Sequence, residues 1–221
     1  MSSLDDPKVL ATLDRLHAAA RGDWTFFVRN LPMMVGMILG QQGPPAAEQA
    51  AKFKDVYIPI SRTQGRFLYM VARSVGAKRI VEFGTSFGVS TIYAAAAARD
   101  TGGTVIGTEL EPSKRERALA NIAEAGLADL VDVRLGDALE TLRDVPPPID
   151  LVLLDGWKDL YLPVLRLLES KLRPGAVVLS DNIKTFRRSL GPFLDYVQSG
   201  RNGFHSLTLP LADGFEYSVR L

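Results

Sequence analysis

The sequence predicts a doubly wound α/β fold, in which a mostly parallel seven-stranded sheet ends in an antiparallel hairpin and carries additional N-terminal helices. From Lys78 onward, short apolar runs alternate with helical stretches, a pattern typical of parallel strands that are covered on both faces. Near the carboxyl terminus, two strand-like runs are separated by Pro210 and Gly214, which indicates a hairpin. Before Lys78, the apolar residues recur at helical spacing instead.

Helices are predicted to precede the sheet. In the first of them, Val9, Leu13 and Leu16 recur at helical spacing, and Gly22 follows as a stop signal. The predicted helices are Leu4–Ala20, Trp24–Leu39, Ala46–Phe53 and Gly65–Val75, with a turn at Gln41–Pro45. We place a domain boundary after the third of them, so that residues 1–60 form a helical cap and residues 61–221 form a single compact domain.

The alternating region is predicted to contain five strands and four helices, followed by one more helix and the hairpin. Each strand is a short apolar run, and each helix is a longer stretch with apolar residues at a helical period. The predicted strands are Arg79–Phe83, Thr104–Thr108, Val131–Leu135, Ile149–Leu154, Ala176–Ser180, Phe204–Leu209 and Phe215–Leu221. The predicted helices are Val89–Ala98, Pro112–Ala125, Ala138–Arg143, Leu160–Lys171 and Ser189–Gln198.

Composition limits the classes of protein and partner to be considered. The 221 residues are enough for one domain with a full core, and an apolar content of 47% argues against disorder. With 26 basic and 25 acidic residues the net charge is +1, so we expect neither nucleic acid nor a membrane as a partner. The chain has no cysteine, which excludes disulfides, thiolate metal sites and cysteine nucleophiles.

The amino-terminal region predicts a cytoplasmic protein. Met1–Asp6 has neither the basic region nor the apolar region of a secretory signal, so no such signal is expected. The most apolar segment, Leu31–Leu39, is far shorter than the roughly 20 residues that span a bilayer. We interpret it as a buried or dimer-contact helix and predict a homodimer; the alternative is a flexible apolar lid, which its methionines would suit.

A glycine turn follows the first predicted strand and indicates a ligand site. Gly84 and Gly88 bound this turn, and glycine lets the backbone turn sharply and approach a ligand closely. Glu109 ends the next strand, 21 residues after Gly88, where an acid can bind both ribose hydroxyls of a nucleoside. After the third strand, Asp137 and Ala138 are placed to edge an adenine ring. Together these features predict a cofactor that contains a nucleoside.

Two classes of cofactor are compatible with such a turn, a nicotinamide dinucleotide and S-adenosylmethionine. Dinucleotide sites usually carry a further glycine in the middle of the turn, where this chain has Ser86. A pyrophosphate would find less room there, whereas S-adenosylmethionine has no phosphate and needs no such loop. Glu82, near the end of the strand, also suits the cationic amine of methionine better than a pyrophosphate. The residues therefore favour S-adenosylmethionine.

A second candidate site follows the fourth and fifth strands of the predicted sheet. Asp155 comes directly after one strand, and Asp181 with Asn182 comes directly after the other. Two carboxylates and an amide oxygen suit Mg²⁺, with Mn²⁺ or Ca²⁺ as alternatives, because all three ligands are hard oxygens. Lys158, three residues after Asp155, could act as a base at that metal. These residues predict metal-assisted chemistry on a substrate oxygen.

The same acids have a simpler interpretation as helix caps. Asp155 and Asp181 could each cap the helix that follows its strand, as acids at strand-to-helix turns often do. Lys158 taken alone is an ordinary surface lysine, and a catalytic role rests on its spacing from Asp155. The four residues together, with the glycine turn upstream, favour an active site over a pair of caps.

Taken together, these residues resemble the catechol O-methyltransferase family and the related caffeoyl-CoA O-methyltransferases, which are class I S-adenosylmethionine-dependent enzymes. The resemblance covers about residues 55–221. Its most specific parts are Leu154–Pro163, with the sequence LDGWKDLYLP, and Ser180–Asn182. It implies a Rossmann-like methyltransferase fold and makes residues 61–221 the methyltransferase domain.

The resemblance also implies roles for individual residues. Asp155, Asp181 and Asn182 would hold the metal, and Lys158 would be the general base. Glu109 would bind the ribose. The residues implied to contact the cofactor are Ile60, Glu82, Gly84, Thr85, Ser86, Ser90, Glu109, Asp137, Ala138 and Asp155, with Trp157 and Phe186 at the rim.

The chain departs from the family's pattern in the Tyr57–Ser61 stretch, which is only loosely similar, and at two further positions. Gly156 stands where the animal catechol enzymes place a histidine beside the adenine, and Leu207 stands where they place a glutamate near the second catechol oxygen. The predicted function is therefore methyl transfer from S-adenosylmethionine to a hydroxyl of a small catechol-like acceptor, assisted by a divalent metal. A catechol-like acceptor is favoured because its two adjacent oxygens can chelate the metal. The alternatives are a nicotinamide-dependent oxidoreductase and a catalytically silent protein that binds the adenosyl cofactor.

Overall fold

A computed structural model of the chain describes residues 2–21, 30, 35, 36, 38, 39 and 46–221. Its strands are β1 Arg79–Phe83, β2 Thr104–Glu109, β3 Val131–Leu135, β4 Ile149–Leu154, β5 Leu172–Ser180, β6 Phe204–Leu209 and β7 Phe215–Arg220. They form one seven-stranded sheet in the order β3-β2-β1-β4-β5-β7-β6. The first five strands run parallel, and β7 runs antiparallel to both β5 and β6. The predicted fold class is confirmed.

Helices connect the strands and precede the sheet. In the described part of the chain, the α-helices are α1 Pro7–Ala20, α2 Ala46–Lys52, α3 Arg62–Ser74, α4 Val89–Thr101, α5 Pro112–Glu124, α6 Ala138–Thr141, α7 Tyr161–Leu168 and α8 Gly191–Gln198. Short 3₁₀ turns lie at Ser3–Asp5, Ala128–Leu130, Lys158–Leu160 and Glu169–Lys171. No helix among the described residues has the length and apolar character that crossing a membrane requires. The predicted helix Trp24–Leu39 and the turn Gln41–Pro45 lie largely outside these residues.

The sheet is covered on both faces because its central strands are apolar on both sides. In β1, Ile80 packs into one core cluster with α1, α3, α4 and α5, whereas Val81 packs into a second cluster with α6, α7 and α8. Neighbouring residues of a strand point to opposite faces, so this alternation gives each layer of helices its own core. Helix α1 buries Val9, Leu13 and Leu16 in the first cluster. The domain boundary at residue 60 stays a prediction.

Helix α3 begins three residues earlier than predicted, at Arg62 in place of Gly65. The reason is a capping box. The Ser61 hydroxyl accepts a hydrogen bond from the backbone N–H of Gln64 at 3.2 Å, and the Gln64 side chain accepts one from the backbone N–H of Ser61 at 2.9 Å. The pattern Ser-x-x-Gln is a known start signal that our sequence interpretation missed.

Strand β5 is also longer than predicted, since it begins at Leu172 in place of Ala176. Leu172 pairs with Ile149, and the register then shifts before Val177 pairs with Leu151. Gly175, with φ of +78°, lies inside this irregularity. Periodicity did not predict the extension because Pro174 and Gly175 resemble a turn.

Candidate active site

The candidate site lies at the carboxyl edge of the parallel strands. Phe83, the last residue of β1, pairs with Thr108 of β2 and Leu154 of β4, and Leu154 pairs in turn with Ser180 of β5. The residues that follow these strands therefore meet at one edge, where open α/β sheets usually bind their ligands. A pocket of about 240 Å³ opens at this edge.

The pocket wall contains most of the residues that the sequence singled out. Nine of the ten residues implied to contact the cofactor line it, namely Ile60, Gly84, Thr85, Ser86, Ser90, Glu109, Asp137, Ala138 and Asp155. Trp157, Lys158, Asn182 and Phe186 line it as well. Glu82 and Asp181 are not part of the wall but lie behind it, with exposed fractions of 0% and 4%.

The glycine turn touches the loop after β4 through its backbone. Gly84 has φ of +99°, and a β-carbon built on it would lie 2.7 Å from the backbone of Asp155 and Gly156. Only glycine fits such a close approach with such a φ. A β-carbon at Gly156 would in turn overlap the ring of Phe83, which lines the pocket. The departure from the family's pattern at Gly156 thus has a packing reason, because Phe83 occupies the space.

Glu109 joins the end of β2 to the glycine turn. The backbone N–H of Ser86 donates to Glu109 Oε2 at 2.7 Å, and the backbone N–H of Glu111 donates to Oε1 at 2.9 Å. Ser86 itself adopts φ of +49°. Because each carboxylate oxygen can accept more than one hydrogen bond, both oxygens keep acceptor capacity for a ligand's hydroxyls.

Glu82 lies beneath the turn and is completely buried. Its Oε2 accepts hydrogen bonds from the hydroxyls of Thr85 and Thr91, at 3.1 and 2.5 Å. Its Oε1 is buried without a hydrogen-bond partner among the described residues. Burial raises the pKa of Glu82, against the opposing effect of the hydroxyl groups around it. The side chain therefore supports the turn from below, and one of its oxygens has unused hydrogen-bonding capacity.

Asp137 caps a helix, whereas Asp155 and Asp181 do not. The Asp137 carboxylate accepts a hydrogen bond from the backbone N–H of Leu139 at 2.8 Å and so begins α6. After Asp155, the N-cap residues of the 3₁₀ turn Lys158–Leu160 and of α7 are Trp157 and Leu160. After Asp181, the N-cap residue of α8 is Leu190. The interpretation of Asp155 and Asp181 as helix caps is therefore wrong.

Lys158 lies beside Asp155 and a buried tyrosine. Its Nζ is 3.6 Å from Asp155 Oδ1 and donates a hydrogen bond to Tyr161 Oη at 2.8 Å. The Tyr161 hydroxyl donates in turn to the backbone carbonyl of Asp181 at 3.3 Å. The side chains of Lys158 and Asp155 are only 13% and 12% exposed. The ring of Phe186 lies 5.7 Å from Lys158 Nζ.

Burial and mutual repulsion dominate the electrostatics of this group. Burial, reinforced by the nearby charge of Asp181, raises the pKa of Asp155 well above its ordinary value. Burial likewise raises the pKa of Asp181, although Lys158 and two hydrogen bonds oppose it. Burial lowers the pKa of Lys158, and both carboxylates oppose that shift. Burial thus disfavours the charged form of all three groups, and the two carboxylates repel each other when both are ionised.

Asp155, Asp181 and Asn182 have the chemistry to hold a divalent cation. A bound cation would relieve the repulsion between the two buried acids. Asp181 Oδ1 accepts from Gln64 Nε2 and from the backbone N–H of Asn182, and no hydrogen bond from a described residue reaches Oδ2. Among the described residues there is no group of three or more His, Asp or Glu side chains suited to a metal. This site would combine two acids with an amide, a ligand set of hard oxygens.

The sequence interpretation missed several residues of the wall. Lys114 of α5 lines the pocket and is 8% exposed, with its Nζ 3.4 Å from Ser86 Oγ. Tyr57 stacks on Phe87 with ring centroids 3.9 Å apart, and the Arg117 guanidinium lies 4.5 Å above the Phe87 ring. Lys114 and Arg117 are three residues apart, so they share one helix face. This spacing of two basic residues was the one feature of the sequence that could have indicated their position beside the pocket.

Leu207 is not near this pocket. It lies on the edge strand β6, paired with Tyr217, and is 55% exposed. The expected correspondence between Leu207 and an acceptor-binding glutamate is therefore not supported. Phe53, Trp157 and Phe186 do line the pocket, and the rings of Phe53 and Trp157 meet edge to face with centroids 6.0 Å apart.

Comparison with known proteins finds a matching sequence family and similar enzymes. Residues 81–183 match a sequence family described as a methyltransferase domain. Catechol O-methyltransferase of Mycobacterium tuberculosis is 37% identical over 139 residues, which are 62% of this chain and 62% of that protein. Caffeoyl-CoA O-methyltransferase 2 of Zea mays is 32% identical over 128 residues, which are 55% of this chain and 48% of that protein.

A solved structure extends the comparison to the fold. The O-methyltransferase TomG from Streptomyces achromogenes, involved in tomaymycin synthesis and crystallised with S-adenosylmethionine, superimposes with a TM-score of 0.68 at 28% identity. The superposition covers 81% of this chain and 91% of TomG. In the sequence comparisons, the chain matches about three fifths of the mycobacterial enzyme and about half of the maize enzyme.

Proposed function

We propose that this chain, which is similar in sequence and fold to O-methyltransferases of the catechol and caffeoyl-CoA type, transfers a methyl group from S-adenosylmethionine to a hydroxyl of a small catechol-like acceptor. The observation that carries the proposal is the position of Lys158, which is largely buried beside Asp155 at the wall of the pocket. A nicotinamide-dependent oxidoreductase is not favoured, since the relatives named above are O-methyltransferases.

The cofactor would occupy the part of the pocket around the glycine turn. Glu109 has both carboxylate oxygens at this turn, which suits the two hydroxyls of a ribose. Ala138 lines the pocket after β3, where it would contact the adenine. Gly84 brings the turn against the loop of Asp155, so the methionine end of the cofactor would lie close to the candidate metal site.

A divalent cation would be held by Asp155, Asp181 and Asn182. When bound, such an ion lowers the pKa of an acceptor hydroxyl and fixes the orientation of two adjacent oxygens. Lys158 would then take the proton, since burial favours its neutral amine, which has a lone pair. Tyr161 holds the Lys158 nitrogen through their hydrogen bond. The side chains of Trp157 and Phe186, which line the pocket, would exclude water from the acceptor's ring.

The reaction itself is a displacement at carbon. The acceptor oxygen forms a bond to the methyl carbon while the bond from that carbon to the cofactor sulfur breaks. The electron pair goes to sulfur, which becomes a neutral thioether, and the hydroxyl proton goes to Lys158 Nζ. Holding the two reactants in line contributes several kcal/mol to lowering the barrier.

Two measurements test this proposal. Calorimetric titration with S-adenosylmethionine should show binding, and transfer of labelled methyl to 3,4-dihydroxybenzoate should require Mg²⁺ and stop with a chelator. 4-Hydroxybenzoate is the matched acceptor that cannot chelate, and it should be methylated poorly. Absence of cofactor binding would overturn the proposal, and equal transfer to both acceptors with chelator present would overturn the metal-assisted part.

Lys158→Ala is the variant that tests the base directly. We expect the turnover rate to fall by roughly 100-fold or more, since general base catalysis typically contributes at least that factor. Cofactor affinity should change little. Lys184→Ala is the control, because Lys184 is an exposed lysine of the loop that follows Asn182. Equal loss of rate and acceptor affinity in Lys158→Ala would make Lys158 a binding residue and not a base.

A further inference from the structure

Gln64 connects the start of helix α3 with Asp181, the buried acid that follows β5. Its side chain is 2% exposed, and its Nε2 donates a hydrogen bond to Asp181 Oδ1 at 2.5 Å, across 117 residues of sequence. Its Oε1 accepts the backbone N–H of Ser61 at 2.9 Å. Both ends of one amide are thus engaged, one with a helix cap and the other with a carboxylate.

The orientation of this amide follows from its partners. A backbone N–H can only donate, so the atom of Gln64 that faces Ser61 must be the oxygen. The nitrogen must then face Asp181, whose Oδ1 accepts the bond. A flipped amide would place oxygen against oxygen at Asp181 and nitrogen against N–H at Ser61. The capping box therefore dictates which group Gln64 presents to Asp181.

Packing around Gly65 keeps Gln64 at this position. A β-carbon on Gly65 would overlap the ring of Tyr93 in α4, so the first turn of α3 lies directly against that helix. Tyr93 is itself buried in the core cluster that contains α1 and α3. The first turn of α3, which carries Gln64, therefore has no room to move toward α4.

The bonds to Asp181 leave its two oxygens in different states. Oδ1 accepts from Gln64 Nε2 and from the backbone N–H of Asn182, at 2.5 and 2.7 Å. Oδ2 receives no hydrogen bond from any described residue. An oxygen with two donors has little capacity left for a cation, whereas one without donors has both lone pairs free. Gln64 thus restricts rotation of the carboxylate and distinguishes its two oxygens.

We propose that Gln64 is a positioning residue, which orients the Asp181 carboxylate so that Oδ2 is the atom that binds the divalent cation. The inference rests on the proposed function, because it assumes that Asp181 is a metal ligand. It also connects two parts of the site: Ser61 directly follows Ile60, which lines the cofactor pocket, so one capping box anchors the pocket wall and the metal ligand together.

Gln64→Met and Ser61→Ala form a matched pair of variants. Gln64→Met keeps the length of the side chain but removes both the contribution to the cap and the donor to Asp181. Ser61→Ala removes the capping hydroxyl yet keeps the Ser61 backbone N–H, Gln64 and its bond to Asp181. Both variants should lose some thermal stability through the weakened cap. Only Gln64→Met should lose metal affinity.

The probe is Mn²⁺, titrated into the full chain and followed by the electron paramagnetic resonance of the free ion, with S-adenosylmethionine affinity measured separately by calorimetry. We expect Gln64→Met to weaken Mn²⁺ binding by about 10- to 100-fold, the usual effect of removing a residue that orients a metal ligand. Affinity for S-adenosylmethionine should stay within about twofold of the wild type, because Gln64 does not line the pocket. Ser61→Ala should bind Mn²⁺ like the wild type.

Each other outcome overturns the inference in a recognisable way. Equal Mn²⁺ affinity in Gln64→Met and wild type would show that Gln64 does not position Asp181, and the proposed methyl transfer would stand. Equal weakening in both variants would assign the effect to the helix cap. A wild type that binds S-adenosylmethionine but no Mn²⁺ would remove the metal site and this inference with it, leaving metal-independent methyl transfer to be judged by its own assay.

Discussion

The Nζ of Lys158 donates a hydrogen bond to the phenol oxygen of Tyr161 at 2.8 Å, and the Tyr161 hydroxyl donates in turn to the backbone carbonyl of Asp181 at 3.3 Å. Tyr161 is fully buried beneath the candidate site. The loop after β4 and the end of β5 are thereby joined through one side chain. The lysine nitrogen is held in place by this bond as well as by its charge interaction with Asp155.

Tyr161→Phe should lower the rate of methyl transfer about tenfold, because the Lys158 nitrogen loses the acceptor that orients it and positioning effects of this kind are typically of that size. Affinity for S-adenosylmethionine should not change. Tyr196→Phe is the control, since it removes a hydroxyl that donates to Glu169 at 2.8 Å outside the pocket. Turnover numbers at saturating acceptor measure the effect. An unchanged rate in Tyr161→Phe would show that the bond is structural only.

Glu109→Gln should weaken binding of S-adenosylmethionine by roughly 10-fold or more, because bonds to an ionised carboxylate are about twice as strong as those to a neutral amide. The amide would also present an NH₂ group to one of the two backbone N–H donors at this turn. Calorimetric titration measures the change. Glu140→Gln, an exposed acid paired with Arg143, is the matched control. Equal affinity in all three proteins would contradict the ribose assignment.

Gly84→Ala should destabilise the fold and abolish cofactor binding together. Residues with a side chain disfavour positive φ by about 1–2 kcal/mol, and the added carbon would also press on the backbone after β4 at 2.7 Å. Gly76→Ala separates the two effects, since Gly76 has φ of +62° with nothing within 4 Å of its β-carbon position. Denaturant unfolding should therefore show a larger loss for Gly84→Ala than for Gly76→Ala. Equal losses would mean that backbone contact at Gly84 is unimportant.

Asp150 should contribute to stability in a pH-dependent manner. Burial alone would raise the pKa of Asp150, but hydrogen bonds from Arg173 and from the backbone N–H groups of Arg79 and Lys78 outweigh it, and the pKa lies below its ordinary value. The folded chain thus holds the ionised form more strongly than the unfolded chain does. This contribution is fully present above the unfolded pKa near 4 and is lost as pH falls through the lower, folded pKa.

Asp150→Ala tests this contribution by chemical unfolding at several pH values. At pH 7 we expect a loss of about 3 kcal/mol, because three hydrogen bonds disappear and Arg173 is left half-buried without its partner. The difference from wild type should shrink below pH 4. Asp195→Ala, which removes an exposed acid of α8, should have little effect at any pH. A difference that does not depend on pH would assign the loss to packing and not to charge.

Much of the fold could be predicted from the sequence because its signals are local. Four predicted strands, including Arg79–Phe83 and Ile149–Leu154, have the observed bounds, since an apolar run between turn residues has few other structures to adopt. The start of α3 was missed although the capping pattern at Ser61 and Gln64 was present, which was a failure of interpretation. The extension of β5 past Gly175 depends instead on pairing with β4, which no local signal reports.

The candidate site likewise has features that could be predicted from the sequence and features that could not. The acids Glu109, Asp155 and Asp181 were predictable by themselves, because each follows a strand and parallel strands end at one edge of a sheet. The burial of Glu82 and Asp181 behind the pocket wall was not predictable, because burial depends on which helices cover the strand ends.

The sequence by itself thus determined the order of elements, the sheet edge that carries the polar residues and the types of ligand they suit. Only the tertiary structure decided which of these residues touch: the bond from Gln64 to Asp181, the contact of Lys158 with Tyr161, and the exclusion of Leu207 from the pocket. The physical reason is that hydrophobic periodicity is set by near neighbours in the chain. Contacts between residues far apart in sequence are set by how whole helices pack on the sheet.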